Sequence, residues 1–247
     1  MADPAPSTAP PDLAGRVLHR DRFLLVIDKP AGLAVHPGPA TRESLEDLLP
    51  VLAFDRREPP MPAHRLDRDT SGCLALGRTR GALKRLQAAF AAGRVGKTYW
   101  AVAVGRPPAE TGRVDRPLAK VSSKAAGWRM VADPALPGAK PAATRWRVLE
   151  ARGGMALVEL TPETGRTHQL RAHLAWLGCP ILGDPVYGGD PAPRGRLMLH
   201  ARRLTIPAAV ADPEAPAGAP PITVEAPVPE GFPLQARGGA ARGEDRN

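Results

Sequence analysis

Short apolar runs broken by Gly- and Pro-containing polar stretches recur along the chain, with only two segments at helical spacing between them. Phe23 to Ile27 is an unbroken apolar run, closed by Asp28-Lys29-Pro30-Ala31-Gly32. It predicts a buried strand followed by a turn in which Pro and Gly set the backbone angles. Cys73 to Gly77 is a second such run, and from Thr79 the positions Leu83, Leu86 and Phe90 recur at helical spacing until Gly93. A strand leading into an amphipathic helix is expected there. Thr98 to Val104, Met155 to Leu160, Leu197 to Ile206 and Ile222 to Val224 alternate or run apolar with β-branched or aromatic content, and read as strands. Thr167 to Leu177 sets Leu170, Leu174 and Leu177 on one face, with Gly178 where a helix would stop. Helices that interrupt strands without regular βαβ alternation predict an α+β fold with a mixed or antiparallel sheet. Segments 105–143 and 207–221, rich in Gly and Pro, are expected to be surface loops.

Composition narrows the class. Hydrophobic residues at 43% and charged residues at 24% of 247 match ordinary globular usage and exclude collagen-like or wholly disordered chains. The apolar runs fall far short of the roughly 18–20 residues of a bilayer span, so no transmembrane helix is expected. Met1-Ala2-Asp3-Pro4 has neither the basic opening nor the apolar run of a signal peptide, which makes the cytoplasm the expected compartment. Cys73 and Cys179 lie far apart in apolar surroundings and read as buried free thiols, not as metal ligands or a disulfide. Residues 1–12, with four prolines, and 235–247 are expected to be loose tails. The net charge of +9 comes with 28 Arg and 6 Lys. Guanidinium suits bidentate phosphate contact, so nucleic acid is admitted as a partner, although Arg-rich coding accounts for the same composition.

Three polar clusters are candidates for chemistry. His64-Arg65-Leu66-Asp67-Arg68-Asp69-Thr70-Ser71-Gly72 is too polar for a core strand and must be a tightly turned loop ahead of the Cys73 strand. In Thr164-Gly165-Arg166-Thr167-His168-Gln169-Leu170-Arg171-Ala172-His173 a loop passes into a helix, and His168 and Arg171, three apart, share a face. His168 and His173 are five apart without a carboxylate between them, so zinc is not indicated. Lys97-Thr98-Tyr99-Trp100 opens a strand and sends its two aromatics to opposite faces.

Taken together, HRLDRDTSG at 64–72, KTYWAVAVG at 97–105 and TGRTHQLRAHLAWLGCPILGDPVYG at 164–188 resemble the RluA family of RNA pseudouridine synthases in sequence, order and spacing. The likeness extends to DKPAGLAVHPG at 28–38, RLMLHA at 196–201 and EAPVPEGF at 225–232. It implies a catalytic domain over 13–234 with the pseudouridine synthase fold, α+β, built on a bent, mixed, mostly antiparallel sheet with a central active-site cleft. It implies isomerisation of uridine in rRNA or tRNA to pseudouridine, without metal or cofactor; no membrane partner is expected, and a monomer is the default expectation. Residue by residue, Asp67 matches the nucleophile, Tyr99 the tyrosine that stacks on the base and acts in proton removal, and Arg171 the arginine paired with the catalytic carboxylate. Arg65 matches the arginine that displaces the target base, and Leu199 an apolar residue beside it. Arg166 and His168 join them as substrate-binding candidates; Arg68, Arg202 and Arg203 are further candidates for phosphate contact. The small N-terminal RNA-binding domain of some relatives has no counterpart in the roughly 20 residues before the first expected strand, so target choice is expected to lie in the catalytic domain.

The chemistry of these groups suits the reaction. A carboxylate supplies covalent catalysis, and an arginine beside it favours its charged form. An aromatic face holds a detached base, worth about 1–3 kcal/mol per stacked base. Rival readings are weaker. Asp67-Arg68-Asp69-Thr70 looks like a dehalogenase-type phosphatase motif, but its fifth position is Ser71 and no apolar strand precedes it. Asp67 and Asp69 as a glycosidase pair would release free base. A non-catalytic RNA-binding module would not need Asp67, Tyr99 and Arg171 together.

Overall fold

The computed structural model describes residues 11–38, 41, 43–123, 127–188 and 195–233. The tails expected at 1–12 and 235–247 lie outside these residues, except for Pro11 and Asp12. The elements in chain order are β1 (Val17–Arg20), β2 (Leu24–Lys29), α1 (Leu45–Leu48), β3 (Met61–Pro62), β4 (Ser71–Gly77), α2 (Arg80–Ala91) and β5 (Gly96–Val104). They continue with β6 (Thr111–Asp115), β7 (Ala119–Ser123), β8 (Gly127–Val131), β9 (Ala143–Arg152), β10 (Met155–Pro162) and α3 (Gln169–Trp176). β11 (Leu199–Ile206), α4 (Ala208–Ala211) and β12 (Ile222–Glu225) complete the described chain. Ten strands form one sheet in the order β1-β2-β4-β11-β5-β10-β9-β6, with β12 on β11 and β3 on β4; β7 and β8 pair separately. The architecture is α+β, with a mixed sheet in which β4 and β11 run parallel and the other strand pairs antiparallel.

The burial of β2 and β4 explains their unbroken apolar sequence. Leu24, Val26, Cys73 and Ala75 point into a core that includes Leu86 and Ala89 of α2. Leu25, Ile27, Leu74 and Leu76 point the other way, into a core with Leu45 of α1 and Leu49. With both faces covered, every position must be apolar. The helix over Thr79 to Gly93 forms as expected: the Thr79 hydroxyl accepts from the Ala82 N–H at 3.1 Å, and Gly93 ends it with φ +68°. A third core packs β5, β10 and β11 against Leu170 and Leu174 of α3.

Segment 105–143 departs from the expected surface loop, because β6, β7 and β8 lie within it. These strands are mostly exposed, so backbone pairing holds them without an apolar signature. Segment 207–221 contains the short helix α4, which buries Val210 and Ala211. The α3 helix begins at Gln169, two residues later than expected, because His168 takes a left-handed φ of +53°.

Gly72 sits where the two parallel strands touch. Its φ is +108°, and a Cβ there would lie 2.3 Å from the Ala201 carbonyl oxygen. Only glycine lets β4 approach β11 at the His200–Ser71 and Ala201–Gly72 pairs. Gly72→Ala is therefore expected to destabilise by about 3 kcal/mol or more through strain and overpacking, measured as a lowered urea midpoint.

Candidate active site

The 64–70 loop is pinned from both ends. The His64 ring stacks on Phe90 with centroids 4.1 Å apart, and its Nε2 accepts from the Ala75 N–H at 3.0 Å. Leu66 and Thr70 are buried, and the Thr70 N–H closes a turn on the Asp67 carbonyl at 3.1 Å. Lys29, fully buried, donates from Nζ to the carbonyl oxygens of Pro30, Leu33 and Arg68 at 2.7, 2.8 and 3.0 Å. All three ammonium protons are thereby used, although burial pushes the group down to about 7 against the pull of Asp69, Asp67 and Asp28. Held this way, the loop turns Asp67 inward and leaves Arg65 and Arg68 exposed.

Gln169 organises the second motif. Its Oε1 accepts from the Thr164 hydroxyl at 2.7 Å and the Arg166 N–H at 3.0 Å, while Nε2 donates to the Ala143 carbonyl and the Thr144 hydroxyl. Every polar atom of this buried amide has a partner, so the 164–169 turn has one arrangement. Two residues further along, Arg171 donates from Nε and Nη2 to the two carboxylate oxygens of Asp184 at 2.7 and 2.8 Å. Oδ1 of Asp184 also accepts from the Val186 and Tyr187 N–H groups. Burial opposes the Arg171 charge, but Asp184, with Asp67 behind it, offsets that and raises its proton affinity above the ordinary value.

The remaining arm of Arg171 faces Asp67. Nη1 lies 3.9 Å from Asp67 Oδ2 and 3.0 Å from His168 Nε2. A guanidinium only donates, so Nε2 of His168 is the acceptor and its proton sits on Nδ1, 3.3 Å from the Tyr187 hydroxyl. Burial, aided by the Arg171 charge and opposed by Asp67, lowers the His168 pKa and keeps the imidazole neutral at pH 7. Trp128 of β8 stacks on the same ring with centroids 4.8 Å apart.

Of the residues singled out from sequence, Arg65, Asp67, Tyr99, Arg166, His168, Arg171 and Leu199 line one cavity of about 330 Å³, and Arg68 does not. That volume falls within the ~300–1,000 Å³ of small-ligand sites. Tyr99 faces the cavity, whereas Trp100 takes the opposite face beneath Arg202, whose guanidinium carbon lies 5.1 Å from the ring centroid. Burial, with Asp67 and Cys73 nearby, pushes the Tyr99 phenol well above its usual pKa, so it is protonated at pH 7. Arg202 and Arg203 lie apart from the cavity and pair with Glu225 and Glu159. A larger cleft of about 840 Å³ is lined by Asp69, Lys29 and Arg196 but not by Asp67, Tyr99 or Arg171, so the smaller cavity is the one equipped for chemistry. Asp184 escaped sequence reading as a functional residue. A lone acid following Pro180-Ile-Leu-Gly183 was the available signal, since a carboxylate in such a run requires a cationic partner.

Two further histidines, the half-buried His64 and the buried His200, are neutral because their rings are desolvated. Burial lowers His64 to about 3, helped by Lys97, and lowers His200 to about 4 despite backbone acceptors. Their unfolded value is near 6.5, so below that pH the unfolded chain binds more protons. Their stabilising contribution is complete above pH 6.5 and is lost as pH falls toward 4. A urea midpoint series from pH 7 to 4 is expected to show each contributing up to about 1.4 kcal/mol per pH unit.

Comparison with known proteins bears on the family and the fold. Residues 23–176 match the family model described as RNA pseudouridylate synthase. A protein of Zymomonas mobilis subsp. mobilis, named as an uncharacterized RNA pseudouridine synthase, is 47% identical over 224 residues, covering 90% of this chain and 97% of its own. The ribosomal large subunit pseudouridine synthase D of Yersinia pestis is 36% identical over 189 residues, covering 75% of this chain and 56% of its own. Among solved structures, human RNA pseudouridylate synthase domain containing 4 superposes with a TM-score of 0.72 at 31% identity, covering 88% of this chain and 90% of that one.

Proposed function

Because the chain belongs to the RNA pseudouridylate synthase family and is an RNA pseudouridine synthase of the RluA group, we propose that it isomerises specific uridines in ribosomal or transfer RNA, with Asp67 as nucleophile and the target base flipped out. The observation that carries the reading is the convergence of Asp67, Tyr99 and Arg171 on one cavity, with Arg171 locked in place by Asp184. The ribosomal substrate named for the Yersinia pestis relative favours ribosomal RNA as the first target to try.

In the reaction the bond from N1 of the base to the ribose breaks, the base turns, and C5 bonds to the same ribose carbon. C5 loses its proton and N1 gains one, so no redox equivalent is needed. Covalent catalysis by Asp67 divides this into easier steps. Arg171 Nη1, 3.9 Å away, places a fixed positive charge beside the carboxylate as it enters and leaves the adduct. Leu199 and Tyr99 hold the detached base, Leu199 from an apolar surface and Tyr99 by stacking. The Asp67 charge also helps keep the Tyr99 phenol protonated in the resting site. Tyr99 acts in proton removal as a relay that balances the two sites: its phenol proton passes to N1, and the phenolate so formed takes the proton that C5 sheds. Arg65, exposed at the rim, fills the gap left by the flipped base, whose extrusion costs a few kcal/mol. Arg166 and His168 complete the substrate-binding wall, and the enzyme works as a cytoplasmic monomer without metal or cofactor.

The test supplies unmodified ribosomal and transfer RNA transcripts carrying uridine tritiated at C5 and counts tritium released to water. Release by the wild type and not by Asp67→Ala is expected. Equal release by both proteins would overturn the nucleophile assignment.

A further inference from the structure

Lys97 stands apart from the other cations near the site. It precedes Tyr99 by two residues on β5, so both side chains leave the same face of the strand, and both line the cavity. Of the other cations lining the cavity, Arg171 is held by Asp184 and Arg166 donates to the Pro141 carbonyl, while Arg65 is exposed to solvent at the rim. Lys97 has no hydrogen bond, and no carboxylate lies within ion-pair distance of it among the described residues. Its stem is half-buried, and its Nζ lies 4.0 Å from where a Cβ on Gly165 would stand, at the lip between β5 and the 164–169 turn. Burial lowers its pKa, with no acid to offset the shift. A desolvated ammonium without a partner is costly, and an arriving anion would relieve that cost.

Which anion is set by position. Tyr99 faces the base, and Lys97 lies about 6.6 Å further along the strand toward the cavity lip. This is the scale that separates a nucleotide's base from its phosphodiester. We propose that Lys97 anchors the phosphodiester flanking the flipped uridine, acting as a binding residue and not in proton transfer. The proposal rests on the base-flipping reading of this site.

The test measures RNA affinity and chemistry separately. Binding of a structured transcript is titrated against KCl in the Asp67→Asn background, with Lys97 intact, Lys97→Gln or Lys97→Arg. Loss of one phosphate contact is expected to reduce the log–log salt slope by about 0.7–0.9 and to weaken Kd about tenfold for Lys97→Gln, with Lys97→Arg close to the parent. In the Asp67-intact enzyme, the single-turnover rate of Lys97→Gln at saturating RNA is expected to stay within twofold of wild type. An unchanged slope and Kd would overturn the proposal, as would a saturating rate lost at unchanged Kd, which would make Lys97 a proton-transfer group. A methylphosphonate linkage flanking the target uridine gives a readout in the Lys97-intact protein, should Lys97→Gln fail to fold. It must weaken binding there and leave Lys97→Arg equally affected. Tritium release by the wild type is counted in parallel, so failure of the isomerase reading appears there and not in the salt slope.

Discussion

Asp67→Asn is expected to reduce tritium release by at least about 10⁴-fold while RNA affinity stays within about twofold of wild type. The substitution keeps the size of the side chain and its place on the loop, because Leu66, Thr70 and the Lys29 contacts hold the backbone independently of the carboxylate. What it removes is the nucleophile. Affinity is largely preserved because one small, partly exposed carboxylate inside the cavity supplies little of an RNA interface dominated by phosphate contacts. Filter binding and tritium release on the same protein preparation separate the two effects. Residual release within tenfold of wild type would remove Asp67 from the chemistry.

Asp184→Ala is expected to cost about 3–5 kcal/mol of stability and most of the activity together. Its carboxylate has no exposed surface and satisfies two arms of Arg171 and two backbone N–H groups. Truncation strands a buried guanidinium, which then has Asp67 as its nearest remaining acid at 3.9 Å. Arg171 would swing onto the nucleophile and close the space the base needs. Urea unfolding measures the first loss and tritium release at a temperature where the variant is folded measures the second. A stable Asp184→Ala with full activity would show that Arg171 needs no second anchor.

The fold was legible in the sequence wherever burial wrote it. β2 and β4, covered on both faces, appear as continuous apolar runs, and α2 shows its cap, its stripe and its terminal glycine. β6, β7 and β8 were not legible, since an exposed hairpin is held by its ladder and its side chains carry no pattern. β9 had a readable alternation, with Ala143, Thr144 and Trp146 buried and Arg145 and Arg147 exposed, yet it was lost at the edge of a Gly- and Pro-rich segment. The members of the site were legible because its motifs resemble a known family. Their wiring was not: Arg171 makes its close bonds to Asp184, and the link from Trp128 through His168 to Arg171 depends on a left-handed residue that no spacing rule anticipates.

The chain has two thiols, and burial pushes them up to about 12 for Cys73 and about 11 for Cys179. Neither supplies appreciable thiolate at neutral pH, so neither is a good target for alkylating reagents or peroxide. The protein therefore already serves as a cysteine-silent background. A single cysteine introduced on the exposed β7–β8 hairpin would be the one reactive handle for a fluorophore, reporting from beside the catalytic cavity without any prior removal of native residues.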